Sequence, residues 1–431
     1  MGGLITIDEI DRPEVADGLL GAVIEAPQEG ARRRQFTLWI RGWAAAVADR
    51  VVAVEVGDGL RVILRAGVLS RRPDVVVTHP GAPDECGFNF GVQSLELPHT
   101  FELELWAVTK SGARHPLGKI RGRRESLPQN ESLQLAPVLI TTIGRSGSKW
   151  LTTLLGCHPD IVAFEPLVYE PRVATYWLSV FRALSTPYSY LRQIHADNLG
   201  ERRWWLGDGA GDLPTPPPPG SLDWLGGGGV MRLARMCQGA IDAFYRHTAA
   251  ANGKPEARYF VEKFTVHPQL LNLATELFPQ AREIILVRDL RDWLSSVLSW
   301  NALHDQNGFG REEGMSDAVY LQERARMHAE ALLARSRERQ GAAHVVRYED
   351  LITAPEQTLG DLLGFLGLGA GPAPARLVED ASRDHELMDP HRTVADPQAS
   401  IGRWRRDLAP ELAELATDAL GPALRGFGYE T

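Results

Sequence analysis

The feature that most constrains this chain is a short apolar run that ends on glycines, hydroxyls and bases. Val138-Leu139-Ile140-Thr141-Thr142-Ile143 leads directly into Gly144-Arg145-Ser146-Gly147-Ser148-Lys149-Trp150. An unbroken β-branched run of that length suits a parallel strand buried on both faces. A helical pattern begins at about Lys149. A glycine turn at such a junction aims backbone N–H groups at one point, and the helix start adds partial positive charge. Arg145 and Lys149 add full charges, and Ser146 and Ser148 add hydroxyl donors. The junction therefore reads as an anion site. The alternative is a capped helix start in which Ser148 only satisfies the first amides.

This is not a Walker A loop. That pattern places four residues between its first glycine and a Gly-Lys pair. Here Gly144 and Gly147 are three positions apart, and Ser148 separates Gly147 from Lys149.

The grammar of the rest of the chain follows from this junction. Further strands are expected at Tyr259 to Phe264, Ile284 to Val287 and His344 to Arg347, with helices between them and one from Pro355 to about Leu366. Alternating strands and helices imply an α/β fold with a P-loop-like parallel sheet and right-handed crossovers. Two insertions interrupt it. Residues 170–255 carry helical stretches around Gly211 to Gly229, a Pro- and Gly-rich segment read as a loop over a cleft or a disordered insertion. Residues 311–340 read as one charged amphipathic helix with a solvated face. Before residue 138 the pattern is strand-like, for example Phe36 to Ile40, Val51 to Val56, Leu60 to Leu64 and Phe101 to Trp106, punctuated by Gly, Pro and Asp. Such spacing predicts a small antiparallel β-sandwich. The expected organisation is a lead-in at 1–30, a sandwich-like accessory domain at 31–122, a linker at 123–137 and an α/β domain at 138–431.

Composition removes several classes. The formal net charge of −9 gives no bulk attraction for nucleic acid or anionic membrane. Cys86, Cys157 and Cys237 are scattered, with no metal-ligand spacing and no redox pair. No metal is expected. The N-terminus lacks a signal-peptide pattern, and no apolar run reaches the length of a membrane span. A cytoplasmic setting is expected, and the sequence assigns no oligomeric state.

The second chemical motif is Ile284-Ile285-Leu286-Val287-Arg288-Asp289-Leu290-Arg291-Asp292-Trp293-Leu294-Ser295-Ser296. Arg288 leaves a buried strand, and Ser296 lies eight positions later in the next helix. Both can turn to the carboxyl edge of the sheet, where open α/β sheets bind ligands. The bland alternative is a strand-end salt-bridge cluster of Arg288, Asp289, Arg291 and Asp292. Asp289 also imitates a Walker B acid.

Together these motifs resemble the cytosolic and bacterial sulfotransferase superfamily, from roughly Leu139 to the C-terminus. The family's phosphosulfate loop reads basic-Ser-Gly-Ser/Thr-x-Trp/Phe, and Arg145 to Trp150 matches, with Lys149 where many members have threonine. Its 3′-phosphate motif matches Arg288, Asp292 and Ser296, with Ser295 a possible substitute. Tyr348-Glu349-Asp350-Leu351 resembles the segment that approaches adenine. Ile401-Gly402-Arg403-Trp404-Arg405 resembles the late motif over the 3′-phosphate. Glu262-Lys263-Phe264, with His267 and Pro268 beyond, resembles the family's Lys-Thr/Ser-Pro or Lys-Thr-His strand end, although Phe264 replaces a small hydroxyl residue.

The resemblance implies transfer of a sulfuryl group from 3′-phosphoadenosine-5′-phosphosulfate (PAPS) to a hydroxyl or amine, leaving adenosine 3′,5′-bisphosphate (PAP). The shorter loop suits a phosphosulfate better than a triphosphate with magnesium. Arg145 or Lys149, with Lys263, would stabilise charge on the leaving oxygen. Glu165 is the first choice for the general base and His267 the second. The expected acceptor is a glycan, with lipids and small hydroxyl compounds as alternatives. Two rivals are carried: a kinase with an atypical loop, and a non-catalytic glycan-binding protein.

Overall fold

The structure is a computed structural model, and it describes residues 4–59, 61–127, 133–164, 171–186, 215, 218–265, 268–369, 371–382 and 396–431. The chain divides into two compact units, Met1–Asn130 with Leu178–Cys237 and Glu131–Trp177 with Gln238–Thr431.

The first unit holds ten strands: β1 (Ile5–Asp11), β2 (Leu19–Ala26), β3 (Arg32–Arg33), β4 (Thr37–Ala46), β5 (Val51–Gly57), β6 (Val62–Gly67), β7 (Ser70–Arg71), β8 (Glu85–Gln93), β9 (Thr100–Thr109) and β10 (Arg114–Arg124). They form two antiparallel sheets, ordered β3-β1-β10-β9-β5-β6 and β2-β4-β8-β7. Alternation explains the sandwich. In β9, Phe101, Leu103, Leu105 and Ala107 face a core shared with Leu38 and Ile40 of β4 and Phe88 and Phe90 of β8. Glu102 and Glu104 point the other way and pair with Lys119 of β10 at 2.9 and 2.8 Å.

Two expectations for this region are corrected. Residues 1–30 are not a loose lead-in, because β1 and β2 lie there, and β1 pairs with β10. A bulge between Ile7 and Glu9 breaks the alternation and places two acids in succession, which hid the strand. Those acids meet cross-strand arginines, Asp8 with Arg123 at 2.9 Å and Glu9 with Arg121 at 2.8 Å. For the same reason the charged stretch expected to open a linker is strand as far as Arg124.

The second unit carries a five-stranded sheet of β11 (Ala136–Thr142), β12 (Ile161–Ala163), β13 (Tyr259–Thr265), β14 (Arg282–Val287) and β15 (Ala343–Arg347). Every pairing is parallel, in the order β12-β13-β11-β14-β15. Burial of both faces accounts for the near-continuous apolar strands. On one face Ile140, Ile284 and Leu286 pack with Leu151, Leu154, Leu359 and Leu362. On the other, Ile285 and Val287 pack with Leu290, Trp293, Leu332 and Leu424. The chain winds from β11 to the β13 side, then returns to the far side at β14. The switch point therefore lies at the carboxyl ends of β11 and β14.

The segment 311–340 also differs from expectation. It is two helices, Asp317–Tyr320 and Arg326–Glu338, joined by a π turn at Leu321–Ala325. Its face is not wholly solvated, because Arg335 is buried against Glu283 of β14 at 2.9 Å. In the glycine-rich stretch, residues from Ser221 onward belong to the helix Ser221–Ala251, kinked at Gly226. No helix among the described residues is long and apolar enough to cross a membrane. No group of three or more His, Cys, Asp or Glu side chains among them is placed to hold a metal ion.

Candidate anion-binding site

The turn after β11 has the shape expected of an anion loop. Arg145 and Gly147 both adopt positive φ, 71° and 86°. Gly147 occupies the N-cap of the helix Ser148–Gly156 in the left-handed region, and no side chain caps that helix start. The first amides are therefore not consumed by a serine cap, which leaves their dipole for a ligand. A Cβ on Gly147 would stand 2.3 Å from Cδ2 of Tyr348, and one on Gly144 would stand 2.5 Å from Cε1 of Phe309. Glycine is required at both positions by close approach.

The loop is fastened from below. The Ser146 hydroxyl donates to the Ile143 carbonyl at 2.8 Å, and Trp293 Nε1 donates to the Gly144 carbonyl at 2.5 Å. Thr142 Oγ1 donates to the Leu286 carbonyl at 2.8 Å, tying β11 to β14. Ser146 was expected to offer its hydroxyl to an anion. Here that hydroxyl serves the backbone, and Ser146 is fully buried.

Arg288, at the end of β14, stands beside this loop. It is 5 % exposed, donating through Nη1 to the Arg145 carbonyl at 3.3 Å and through Nη2 to the Ser400 carbonyl at 2.7 Å. Its Nε is buried without a hydrogen-bond partner. Burial holds its pKa below the usual guanidinium value, opposed by Tyr348, Asp292 and Glu349. Its guanidinium lies over the Tyr348 ring at 4.8 Å, and the Tyr348 hydroxyl shares a hydrogen bond with Ser400 Oγ at 3.1 Å. Tyr348 thus props both the loop and Arg288.

Ser296 faces the same place, since Arg145 Nε donates to its Oγ at 3.3 Å. The Arg145 guanidinium lies over the Trp300 ring at 4.3 Å. Asp292 is 1 % exposed and accepts from the amides of Gly402 at 2.7 Å and Trp404 at 2.9 Å. Arg403 donates to Asp407 at 2.6 Å and to Ser299 at 3.0 Å. Asp289 caps the helix Leu290–His304 and pairs with Arg291, so it belongs to the strand-end cluster weighed above.

The structure thus brings Arg145, Gly147, Arg288, Ser296 and Tyr348 together, with the turn at Gly402 and Arg403 tied to the same helix. Lys149 is half-buried in the first turn of its helix, and Lys263 lies on β13 beside Ile140. Trp150 packs against the core on the Ile140 face. Glu165 and His267 lie outside the described residues. Sequence reasoning missed Trp300, Phe309 and Ser400. Trp300 had a signal, one helical turn beyond Ser296. Phe309 and Ser400 come from distant loops and had none.

Fold and geometry place a glycine turn, an uncapped helix start and a buried guanidinium together at the switch point of a parallel α/β sheet. The chain belongs to the sulfotransferase family, whose profile matches residues 137–371. It is 28% identical to human carbohydrate sulfotransferase 3 over 160 residues, covering 35% of this chain and 33% of the relative. It is 29% identical to human carbohydrate sulfotransferase 1 over 92 residues, covering 21% of this chain and 22% of the relative. The chain thus spans a third or less of the length of these curated relatives. Among solved structures it is similar to the sulfotransferase domain of the Synechococcus PCC 7002 olefin synthase, at 19% identity and a TM-score of 0.42, covering 71% of this chain and 100% of that one.

Proposed function

We propose that this protein transfers a sulfuryl group from PAPS to a hydroxyl or amine of a carbohydrate. Family membership supplies the reaction class. The observation that carries the cofactor reading is Arg288, a buried cation with one unpartnered nitrogen, bonded to the carbonyls of Arg145 and Ser400. Among the described residues no carboxylate oxygen hydrogen-bonds it, so a ligand anion is the natural partner.

The residues fit a nucleotide with an anion at each end. The Gly147 turn and the start of the helix Ser148–Gly156 suit the 5′ end. Arg288 and Ser296, with the Gly402–Trp404 turn, suit a 3′-phosphate. When bound, PAPS supplies a sulfuryl group attached to a stable leaving nucleotide. Arg145, Lys149 and Lys263 provide positive charge for the leaving oxygen. Glu165 is our choice for the base that accepts the acceptor's proton, with His267 second. A carbohydrate acceptor is supported by the names of the two human relatives. The N-terminal sheets are proposed as an accessory module that engages this acceptor. The three cysteines form no disulfide, which suits a reducing compartment, and we propose a cytoplasmic setting.

Calorimetry with PAP against ATP plus magnesium tests the cofactor. Tighter binding of PAP is expected. Preference for magnesium ATP would replace this reading with that of a kinase. Product analysis across sugars, phenols and lipids then tests the acceptor, and sulfation confined to phenols or lipids would refute the carbohydrate assignment.

A further inference from the structure

We infer that Asp292 is a positioning residue for recognition of the cofactor's 3′-phosphate, acting through the backbone turn Gly402–Trp404. The inference rests on the PAPS reading above.

Asp292 sits in the first turn of the helix Leu290–His304, four residues after Arg288 and four before Ser296. Within the helix that spacing puts Asp292 and Ser296 on one face, and Arg288 lies just before the helix at the strand end. The carboxylate does not face a ligand. Its Oδ2 accepts the Gly402 amide at 2.7 Å and its Oδ1 accepts the Trp404 amide at 2.9 Å, and the residue is 1 % exposed. One oxygen is thus assigned to each of two amides that flank Arg403. Gly402 has φ 68°, so the turn that presents both amides to one carboxylate is formed at little steric cost only by glycine. The same segment is held two residues earlier, where Arg288 Nη2 donates to the Ser400 carbonyl at 2.7 Å. Arg403, between the two amides, is held by Ser299 and Asp407.

One hydrogen bond donated by Arg288 and two accepted by Asp292 therefore fix where Ser400 to Trp404 lies. A carboxylate is needed because both partners are N–H donors. An asparagine at 292 would turn an NH₂ toward one of them, replacing a charge-assisted bond with a donor–donor contact. The turn would be released while Arg288, Ser296 and the Gly147 loop keep their places.

The test compares two nucleotides on the full chain by calorimetry, PAP and adenosine 5′-monophosphate, which differ by the 3′-phosphate. The wild type should prefer PAP. Asp292→Asn should weaken PAP roughly 10- to 100-fold, the scale of losing a charged hydrogen-bond anchor, and leave the monophosphate within about twofold. General unfolding would weaken both ligands alike. If Asp292→Asn does not fold, Gly402→Ala disturbs the same turn while keeping the buried carboxylate in the sequence and should lower PAP selectivity in the same direction. A wild type indifferent to the 3′-phosphate removes the PAPS reading and this inference with it. A discriminating wild type whose folded variants discriminate equally well overturns the role of Asp292 alone.

Discussion

The guanidinium of Arg288 and the carbonyl of Arg145 lie 3.3 Å apart, so the two motifs proposed to bind the nucleotide are joined by a direct hydrogen bond. They are 143 residues apart in sequence. Their meeting follows from topology, because β11 and β14 are paired neighbours whose carboxyl ends both open at the switch point.

Removing Arg288 should therefore affect both ends of a bound nucleotide. Charged hydrogen bonds contribute about 1.5–3 kcal/mol, so Arg288→Ala is expected to weaken PAP by roughly 10- to 100-fold. Arg288→Lys should fall between, since it keeps the charge but not the fork that spans Arg145 and Ser400. Calorimetric affinities measured beside thermal unfolding check this. Unchanged affinity in a folded Arg288→Ala protein would separate Arg288 from the ligand.

The Gly147 loop makes a second prediction. Gly147→Ala must place a methyl group 2.3 Å from the Tyr348 ring at φ 86°. Left-handed strain and the clash together should cost about 1–3 kcal/mol. Tyr348→Ala removes the clash but not the strain. In a double-mutant cycle, Tyr348→Ala should then cost less in the Gly147→Ala protein than in the wild type. Urea unfolding of the four proteins measures the difference, and strict additivity would place the ring elsewhere.

What was legible in the sequence divides along physical lines. The strands at 138 and 284 were readable because burial on both faces leaves a continuous apolar run, whereas those at 259 and 343, the latter an edge strand with Val345 exposed, were readable from shorter apolar stretches between helical segments. Arg288 and Ser296 were readable because both sit at fixed offsets from such a strand. β12 was not, since three residues carry no period. β1 was hidden by its bulge, and Ser400 and Phe309 reach the site from loops with no periodic signal. Ser146 shows a different limit. Its hydroxyl looked like a ligand donor in the motif, but its partner is a carbonyl three residues back.

Arg335 and Glu283 support the sheet near the start of β14. Glu283 accepts from Arg335 Nε at 3.0 Å and Nη2 at 2.9 Å, from Arg339 at 3.1 Å and from Thr141 at 2.7 Å. Both Glu283 and Arg335 are 1 % exposed. Removing one partner leaves the other buried charge with a single remaining ion-pair partner, Arg339 for Glu283 and Glu338 for Arg335, and Glu283→Ala or Arg335→Ala should cost about 3 kcal/mol. Replacing both with methionine should recover much of that loss, because the desolvation cost of the two charges disappears. Urea midpoints for the single and double variants test this. Equal loss in the double variant would mean that the ion pair itself stabilises the sheet.

His158 is expected to make the unit sensitive to acid. The residue is 1 % exposed, and its Nδ1 accepts the Asp160 amide at 3.1 Å. Its Nε2 is buried without a hydrogen-bond partner, and a Cβ on Gly371 would stand 2.3 Å from it. Protonation would set an N–H at Nδ1 against the donor amide, and burial lowers the pKa from its usual value. The unfolded chain binds this proton at about pH 6.5 and the folded chain only at lower pH. The resulting stability is therefore present above about pH 6.5 and is lost as pH falls through the depressed native value. His158→Gln cannot take up a proton, so its urea midpoint should fall less between pH 7 and pH 5 than that of the wild type. The same decline in both proteins would assign the acid sensitivity to other groups.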